Sequence, residues 1–159
     1  MEKILVISDV HGRLRDLRWV LKNEPADAVF FLGDGLYDLD QALELQKPPL
    51  ACPVYRVRGN CDVRHHDPLE GMVPFGGVLF FFCHGHEYGV KMGAERLAQC
   101  AGERGADVAL YGHTHRQALD RDGGVLLINP GSARVGDYGL LTLEAGKMDV
   151  QLLNISTQV

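Results

Sequence analysis

Three short stretches of the chain put two metal-binding side chains one residue apart: Asp9-Val10-His11, His84-Gly85-His86 and His113-Thr114-His115. Gly33-Asp34 and Gly59-Asn60 add a further carboxylate and an amide. A single Asp or Asn after an apolar run is more often a turn former or helix cap than a ligand. Three spaced pairs are hard to explain as unrelated caps, and together they predict a metal centre. Asp, Asn and neutral imidazole without thiolate suit manganese, iron or zinc better than a structural zinc knuckle or a calcium loop. The plausible side chains are too many for one ion, whereas two ions sharing a carboxylate fit their number. Two ions about 3.5–4 Å apart are the usual device for hydrolysing phosphate esters, because they acidify a water and clamp the attacking and leaving oxygens.

The elements that must position these groups follow from the apolar pattern. Ile4–Ser8, Val29–Gly33, Tyr55–Gly59, Val78–Cys83 and Val108–Gly112 read as buried strands, and each runs directly into one of the polar groups. Ligands of open α/β sheets sit beyond the carboxyl ends of the strands, so five strand tips spread over a hundred residues can converge there. Leu14, Leu17, Trp19, Val20 and Leu21 suit one helix, and Leu36, Leu39, Ala42, Leu43 and Leu45 a second that Lys47-Pro48-Pro49 stops. The first half thus alternates strand and helix, as in a parallel α/β sheet. In the second half, Gly76-Gly77 turns a hairpin from Val73–Phe75 into Val78–Cys83, and a third helix is expected over residues 89–104. Only strands follow: Gln117–Asp120, Val125–Ile128, Tyr138–Leu143 and Met148–Leu153. Two sheets packed face to face with helices outside make a four-layer α/β/β/α sandwich, one domain over residues 1–159.

Composition narrows the function classes. The chain of 159 residues has 46% apolar residues, enough for one core that needs no disulfides to fold. Lys and Arg number 16 against 21 Asp and Glu, a formal charge of -5, which disfavours a nucleic-acid-coating module. The apolar start Ile4–Ile7 is too short to span a membrane and lacks a signal-peptide cleavage pattern. The expectation is a soluble, cytoplasmic protein with no membrane partner, whose cysteines 52, 61, 83 and 100 are reduced thiols without a C-x-x-C pair. Nineteen glycines are many for a chain without low-complexity tracts, and several of them adjoin the polar strand tips. His65 and His66 lie in a polar run read as a solvated loop, and Phe80-Phe81-Phe82 is expected between the sheets.

The ordered set Asp9-Val10-His11-Gly12, Gly33-Asp34, Gly59-Asn60, His84-Gly85-His86 and Gly112-His113-Thr114-His115 resembles the calcineurin-like metallophosphoesterase superfamily. Arg58-Gly59-Asn60-Cys61-Asp62, Cys83-His84-Gly85-His86 and Ile128-Asn129-Pro130-Gly131-Ser132 resemble its small branch of YfcE-type phosphodiesterases. The resemblance implies the metallophosphoesterase fold and a dinuclear centre in which Asp9, His11 and His115 hold one ion, Asn60, His84 and His113 the other, and Asp34 bridges them. It implies a phosphodiesterase that uses a metal-bridging hydroxide on a small phosphodiester or nucleotide-like substrate. Manganese is the first choice of metal, with iron, zinc, nickel or magnesium as alternatives. Many superfamily members have a histidine after the asparagine, thought to assist the leaving group; here that residue is Cys61, a poor substitute, so good leaving groups are expected. Asp62 and His86 are then the catalytic candidates, as supporting or substrate-contacting groups. Arg58 and Arg134 are candidates for phosphate contact, a surface role being an equal reading, and specificity is expected from loops around His65, Tyr88 and Arg134. The same fold resembles the retromer subunit Vps29, which makes a protein-binding scaffold with little catalysis the alternative, and self-association is left open.

Overall fold

The computed structural model describes residues 1–158. Its first half runs β1 (Glu2–Ile7), α1 (Leu14–Asn23), β2 (Ala28–Phe31), α2 (Leu36–Leu45) and β3 (Val54–Arg56). The second half runs β4 (Glu70–Phe75), β5 (Val78–Cys83), α3 (Glu95–Glu103), β6 (Val108–Leu110), β7 (Gln117–Asp122), β8 (Val125–Pro130), β9 (Asp137–Glu144) and β10 (Lys147–Asn154). Short 3-10 turns occupy His86–Tyr88, Val90–Met92, Ala133–Val135 and Ile155–Thr157.

The strands form two five-stranded sheets, ordered β10-β9-β1-β2-β3 and β4-β5-β6-β8-β7. Each sheet has a parallel centre, β1-β2-β3 in one and β5-β6-β8 in the other, extended by antiparallel strands. Parallel strands covered on both faces need apolar residues at every position, which is why they read as continuous runs. The alternation shows in the core. Ile4, Val6, Ala28, Phe30 and Leu32 meet Phe80, Phe82, Val108, Leu110 and Ile128 between the sheets. Leu5, Ile7, Val29 and Phe31 face the other way, onto Leu17, Val20, Leu21, Leu36 and Leu39 of α1 and α2. Phe81, Cys83 and Ala109 pack on Leu97, Ala98 and Ala101 of α3. Three apolar layers separate four structural ones, so the fold is the α/β/β/α sandwich expected, with two helices outside one sheet and one outside the other.

Two expectations are corrected. The helix expected over 89–104 starts only at Glu95, because Gly89 and Gly93 take φ of 61° and 132° and break the helical path. Val90 is still buried, but it reaches the α3 core from a 3-10 turn. In the run 80–82, only Phe80 and Phe82 lie between the sheets, while Phe81 points to α3 under the Arg104 guanidinium, 5.1 Å from its ring centroid. All four cysteines are free. Among the described residues no helix is long and apolar enough to cross a membrane.

Candidate metal centre

The loops that leave the carboxyl ends of the parallel strands are tied to one another by backbone hydrogen bonds. Asp9 and Val10 donate their amides to the carbonyls of Gly33 and Asp34, both at 3.0 Å, joining the loops after β1 and β2. Gly112 donates to the His84 carbonyl at 2.9 Å, joining those after β5 and β6. The His113 amide donates to Asp9 Oδ2 at 3.0 Å and so connects the two sheets. Asp9, His11, Asp34, His113 and His115 all have positive φ, between 45° and 71°, and Ala145 is the one other non-glycine residue of this kind among the described residues. Left-handed backbone costs an L-residue about 1–2 kcal/mol, so its concentration at five candidate ligands marks a loop geometry imposed by the surroundings.

Two donor groups result. Asp9, His11 and His115 form one, with every donor atom within 4.8 Å of the others, and Asp34, His84 and His113 form the second. In the first, Asp9 Oδ1 lies 3.4 Å from His11 Nε2 and 3.2 Å from His115 Nε2. In the second, His84 Nε2 is 3.2 Å from both Asp34 Oδ2 and His113 Nδ1. Asp34 Oδ2 also lies 3.7 Å from His11 Nε2, so it sits between the groups. Asp9 is fully buried; its Oδ2 accepts from Ser8 Oγ and the His113 amide, while Oδ1 has no hydrogen-bond partner. A buried carboxylate oxygen without a donor, surrounded by imidazole nitrogens, is costly unless a cation completes it. The residues therefore fit a metal.

The electrostatics are mutual. Burial pushes the Asp34 carboxyl up, but a hydrogen bond and charge from His84, with the Cys61 amide, outweigh it and hold its pKa at about 2. Burial likewise disfavours charge on His84, yet Asp34 and Asp9 leave its pKa raised. His84 Nδ1 donates to the Leu32 carbonyl at 2.8 Å, which fixes the ring and leaves Nε2 facing Asp34. His113 and His86 are shifted down, by burial first and by His84 second.

Several supporting residues had little signal in the sequence. Asp62, expected among the catalytic residues, is buried, and both carboxylate oxygens are engaged by the chain itself. Oδ2 accepts from the amides of Asp34 and Gly59 at 2.7 and 2.8 Å, and Oδ1 from Gly35 and Leu36 at 3.0 and 3.1 Å. Of the two roles expected for Asp62, this geometry is that of a supporting residue, both oxygens being occupied by backbone amides. The Ser132 hydroxyl donates to the Asp9 carbonyl at 2.7 Å, and the Arg134 amide to the same oxygen at 3.2 Å. Asn129 donates to Thr114 Oγ1 at 2.9 Å, steadying the His113–His115 loop. Gly59 permits the close approach of Asp34, whose carboxylate and amide a Cβ would strike, and a Cβ at Gly112 would strike Ser8 Oγ. Asx and Ser signals at turns are common, and only their long-range partners make these residues distinctive.

The other expected residues divide. Asn60 is exposed beside the centre, its Nδ2 donating to Cys61 Sγ at 3.6 Å. His86 stands next to it too, its ring 5.5 Å from that of His84 and 6.1 Å from that of His113. Cys61 Sγ lies within 4.8 Å of donor atoms of His11 and Asp34, and burial and Asp34 push the thiol's pKa up. His65 is bound to Asp40 at 3.3 Å and lines the cavity beside His11, whereas Tyr88 does not. Tyr88 donates its hydroxyl to Glu70 at 2.6 Å and packs edge-on against Phe81, on the α3 side of the second sheet. Arg134 is exposed, and Arg58 is half-buried with a guanidinium nitrogen reaching the His65 carbonyl at 3.5 Å.

Comparisons with known proteins give likenesses of family and fold. The family model of the calcineurin-like phosphoesterase superfamily domain matches residues 2–146. The probable metallophosphoesterase YsnB of Bacillus subtilis (strain 168) is 34% identical over 147 residues, covering 89% of this chain and 84% of its own. Phosphodiesterase YfcE of Escherichia coli (strain K12) is 31% identical over 170 residues, 89% of this chain and 88% of its own. Among solved structures, a conserved uncharacterized protein of Streptococcus pneumoniae TIGR4, a predicted phosphoesterase, superposes with a TM-score of 0.79 at 27% identity, over 98% of this chain and 90% of its own. Vps29 of Entamoeba histolytica, solved with Zn2+, reaches a TM-score of 0.72 at 22% identity over 96% and 98% of the two chains, a likeness of fold.

Proposed function

The chain belongs to the calcineurin-like phosphoesterase superfamily, and on that premise we propose that it is a metal-dependent phosphodiesterase with a dinuclear centre. The observation that carries the reading is the pair of donor groups meeting at Asp34, together with the unpartnered, fully buried Oδ1 of Asp9. Asp9, His11 and His115 would hold one ion, and His84, His113 and Asn60 the other, with Asp34 shared. When bound, the ions supply Lewis-acid chemistry, acidifying water and neutralising phosphate charge. Manganese is the preferred occupant, the donors being oxygen and imidazole nitrogen.

The chain's own residues do the rest. Ser8 and the His113 amide turn one oxygen of Asp9 away from the centre and leave the other for it. The Leu32 carbonyl holds His84 in one tautomer. Asp62 fixes the backbone under Asp34, so that the shared carboxylate keeps its place between the groups. His86, beside His84 and His113, is the side chain placed to touch a substrate oxygen. The Cys61 amide donates to Asp34 Oδ1 at 2.8 Å, and burial and that carboxylate push the thiol's pKa up. A neutral thiol is a weak donor compared with imidazolium, so departing groups must be stable anions by themselves, and aryl or similarly activated diesters are the favoured substrates. The acidic chain can still draw an anion, since two dications at the centre outweigh the ligand carboxylates. Four free thiols suit work in the reducing cytoplasm.

A scaffold reading has the Vps29-like fold in its favour. That Vps29 was itself solved with Zn2+, so metal binding alone does not separate the two readings and turnover must. The deciding experiment strips the protein of metal, restores manganese, and follows release from an aryl phosphodiester and an aryl phosphomonoester. Turnover of the diester that collapses in His113→Ala is the expected result. No turnover with any divalent ion, or a rate unaffected in His113→Ala, overturns the reading.

A further inference from the structure

On the His11 side of the donor groups lies a cavity of about 330 Å3, lined by His11 and Asp34 and by Tyr37, Val63, Arg64 and His65. Its lining thus combines candidate ligands with residues that have no part in holding an ion. Tyr37 is 67% exposed and Val63 is 84% exposed, although both are large apolar side chains. Among the large apolar residues left in the open, these two border a cavity that also contains candidate ligands. Both follow closely on the centre in sequence, Tyr37 three residues after Asp34 and Val63 two after Cys61.

The two walls are rigidly related. Asp62 sits directly before Val63, and its carboxylate accepts the amides of Asp34, Gly35 and Leu36, the residues that lead into Tyr37. The His65 amide closes the second wall as a turn onto the Asp62 carbonyl at 3.1 Å. The Tyr37 hydroxyl accepts from Gln41 Nε2 at 3.1 Å, one turn along α2, which limits where the ring can go. The volume falls at the lower end of small-molecule sites, roughly 300–1,000 Å3, more than a phosphate alone would fill. A tyrosine face beside a branched aliphatic residue suits a flat ring, and Arg64 at the same rim offsets the Asp38 carboxylate, which accepts from the Gly12 amide at 3.0 Å.

We propose that Tyr37 and Val63 form a subsite for the planar aromatic group of a phosphate ester whose phosphate lies at His11 and Asp34. This rests on the phosphodiesterase reading, whose phosphate position it borrows. The shared chemistry is a flat aromatic ring, from a nucleobase or from a simple aryl ester.

The test measures binding of methyl phosphate, phenyl phosphate and thymidine monophosphate to the manganese-loaded protein by calorimetry, which needs no turnover, alongside KM and kcat for bis(p-nitrophenyl) phosphate. Phenyl phosphate or thymidine monophosphate is expected to bind about tenfold more tightly than methyl phosphate. Tyr37→Ala should remove that preference and raise KM far more than it lowers kcat, Tyr37→Phe should keep it, and Val63→Asp should weaken it. Tighter binding of thymidine monophosphate than of phenyl phosphate identifies a nucleobase, and the reverse a simple aryl group. Binding of both aromatic esters no tighter than that of methyl phosphate, or a preference that survives in Tyr37→Ala, overturns the subsite while diester turnover leaves the reaction standing. A Tyr37-dependent preference without any diester turnover leaves the subsite standing and overturns the reaction.

Discussion

The two donor groups contain the same chemistry, a carboxylate and two imidazoles each, in different surroundings. In the group of Asp34, His84 and His113, the side chains of His84 and Asp34 are 0% and 2% exposed, and the far nitrogen of His84 is bound to a backbone carbonyl. In the group of Asp9, His11 and His115, only the aspartate is buried; the imidazoles are 23% and 48% exposed. Among the described residues no hydrogen bond holds the second ring nitrogen of either. Two of the three side chains in one group, Asp34 and His84, are fixed before any cation arrives, with His113 only partly buried, whereas in the other group the aspartate alone is fixed. Preorganised ligands bind more tightly because less ordering remains to be done. The buried group should therefore be the tight site and the exposed group the exchangeable one, nearer to the arriving substrate.

The largest expected effect belongs to the residue the groups share. Asp34→Asn keeps the shape and tolerates the left-handed backbone, so the protein should fold, yet it should lose both ions by elemental analysis and at least about a hundredfold in rate. Wild-type metal content in that variant would break the assignment of a shared ligand. Next come His84→Ala and His115→Ala, compared by manganese titration of the metal-free proteins. The first should weaken the tight class of site by about a hundredfold and the second the loose class by about tenfold; equal losses would erase the distinction between the groups. Asp62→Asn tests the support under Asp34: an amide nitrogen cannot accept the backbone N–H groups now held, so denaturant unfolding should show a loss of about 1–3 kcal/mol. The smallest effect is a control outside both groups. Glu70 is bound by Tyr88 and Arg104, which outweigh its burial and hold its carboxyl below the usual range. That stabilisation is present above the ordinary glutamate pKa and is lost as pH falls through the lowered one. Glu70→Gln should lower the melting temperature by about 1–3 °C at neutral pH, converge with wild type in acid, and leave metal content unchanged.

The strand tips could be read from the sequence because both-sided burial makes β1, β2, β5 and β6 continuous apolar runs, and an Asp or His that ends such a run stands out. The left-handed conformations at those tips, and the closeness of His11 to His115 across 104 positions of sequence, had no local signal. Asp62 stands out in the sequence only through the family resemblance, since nothing nearby announces that it holds the amides of residues 34–36. Gly89 and Gly93 were absorbed into a helical pattern because Val90, Ala94 and Leu97 keep its spacing. Tyr37 falls outside the apolar pattern of the second helix, but nothing in the sequence places it at the cavity beside Asp34. Tyr88 was expected near the cleft because it closely follows His86, but β4 begins at Glu70, three residues before the hairpin expected at Val73, and brings it a partner on the other side.

The hydrogen bonds from residues 132–134 back to Asp9 have a consequence in time. A ribosome makes the first candidate ligand long before Ser132, whose hydroxyl and following amides hold the Asp9 loop, and β1 must also wait for β9, its neighbour in the sheet. At about 5–20 residues per second, that interval is several seconds or more. During it, α1 and β2 can form, but the hydrogen bonds that hold the Asp9 loop cannot, so the group of Asp9, His11 and His115 lacks its fixed carboxylate. The support of the Asp9 loop is therefore available only once Ser132 has been made.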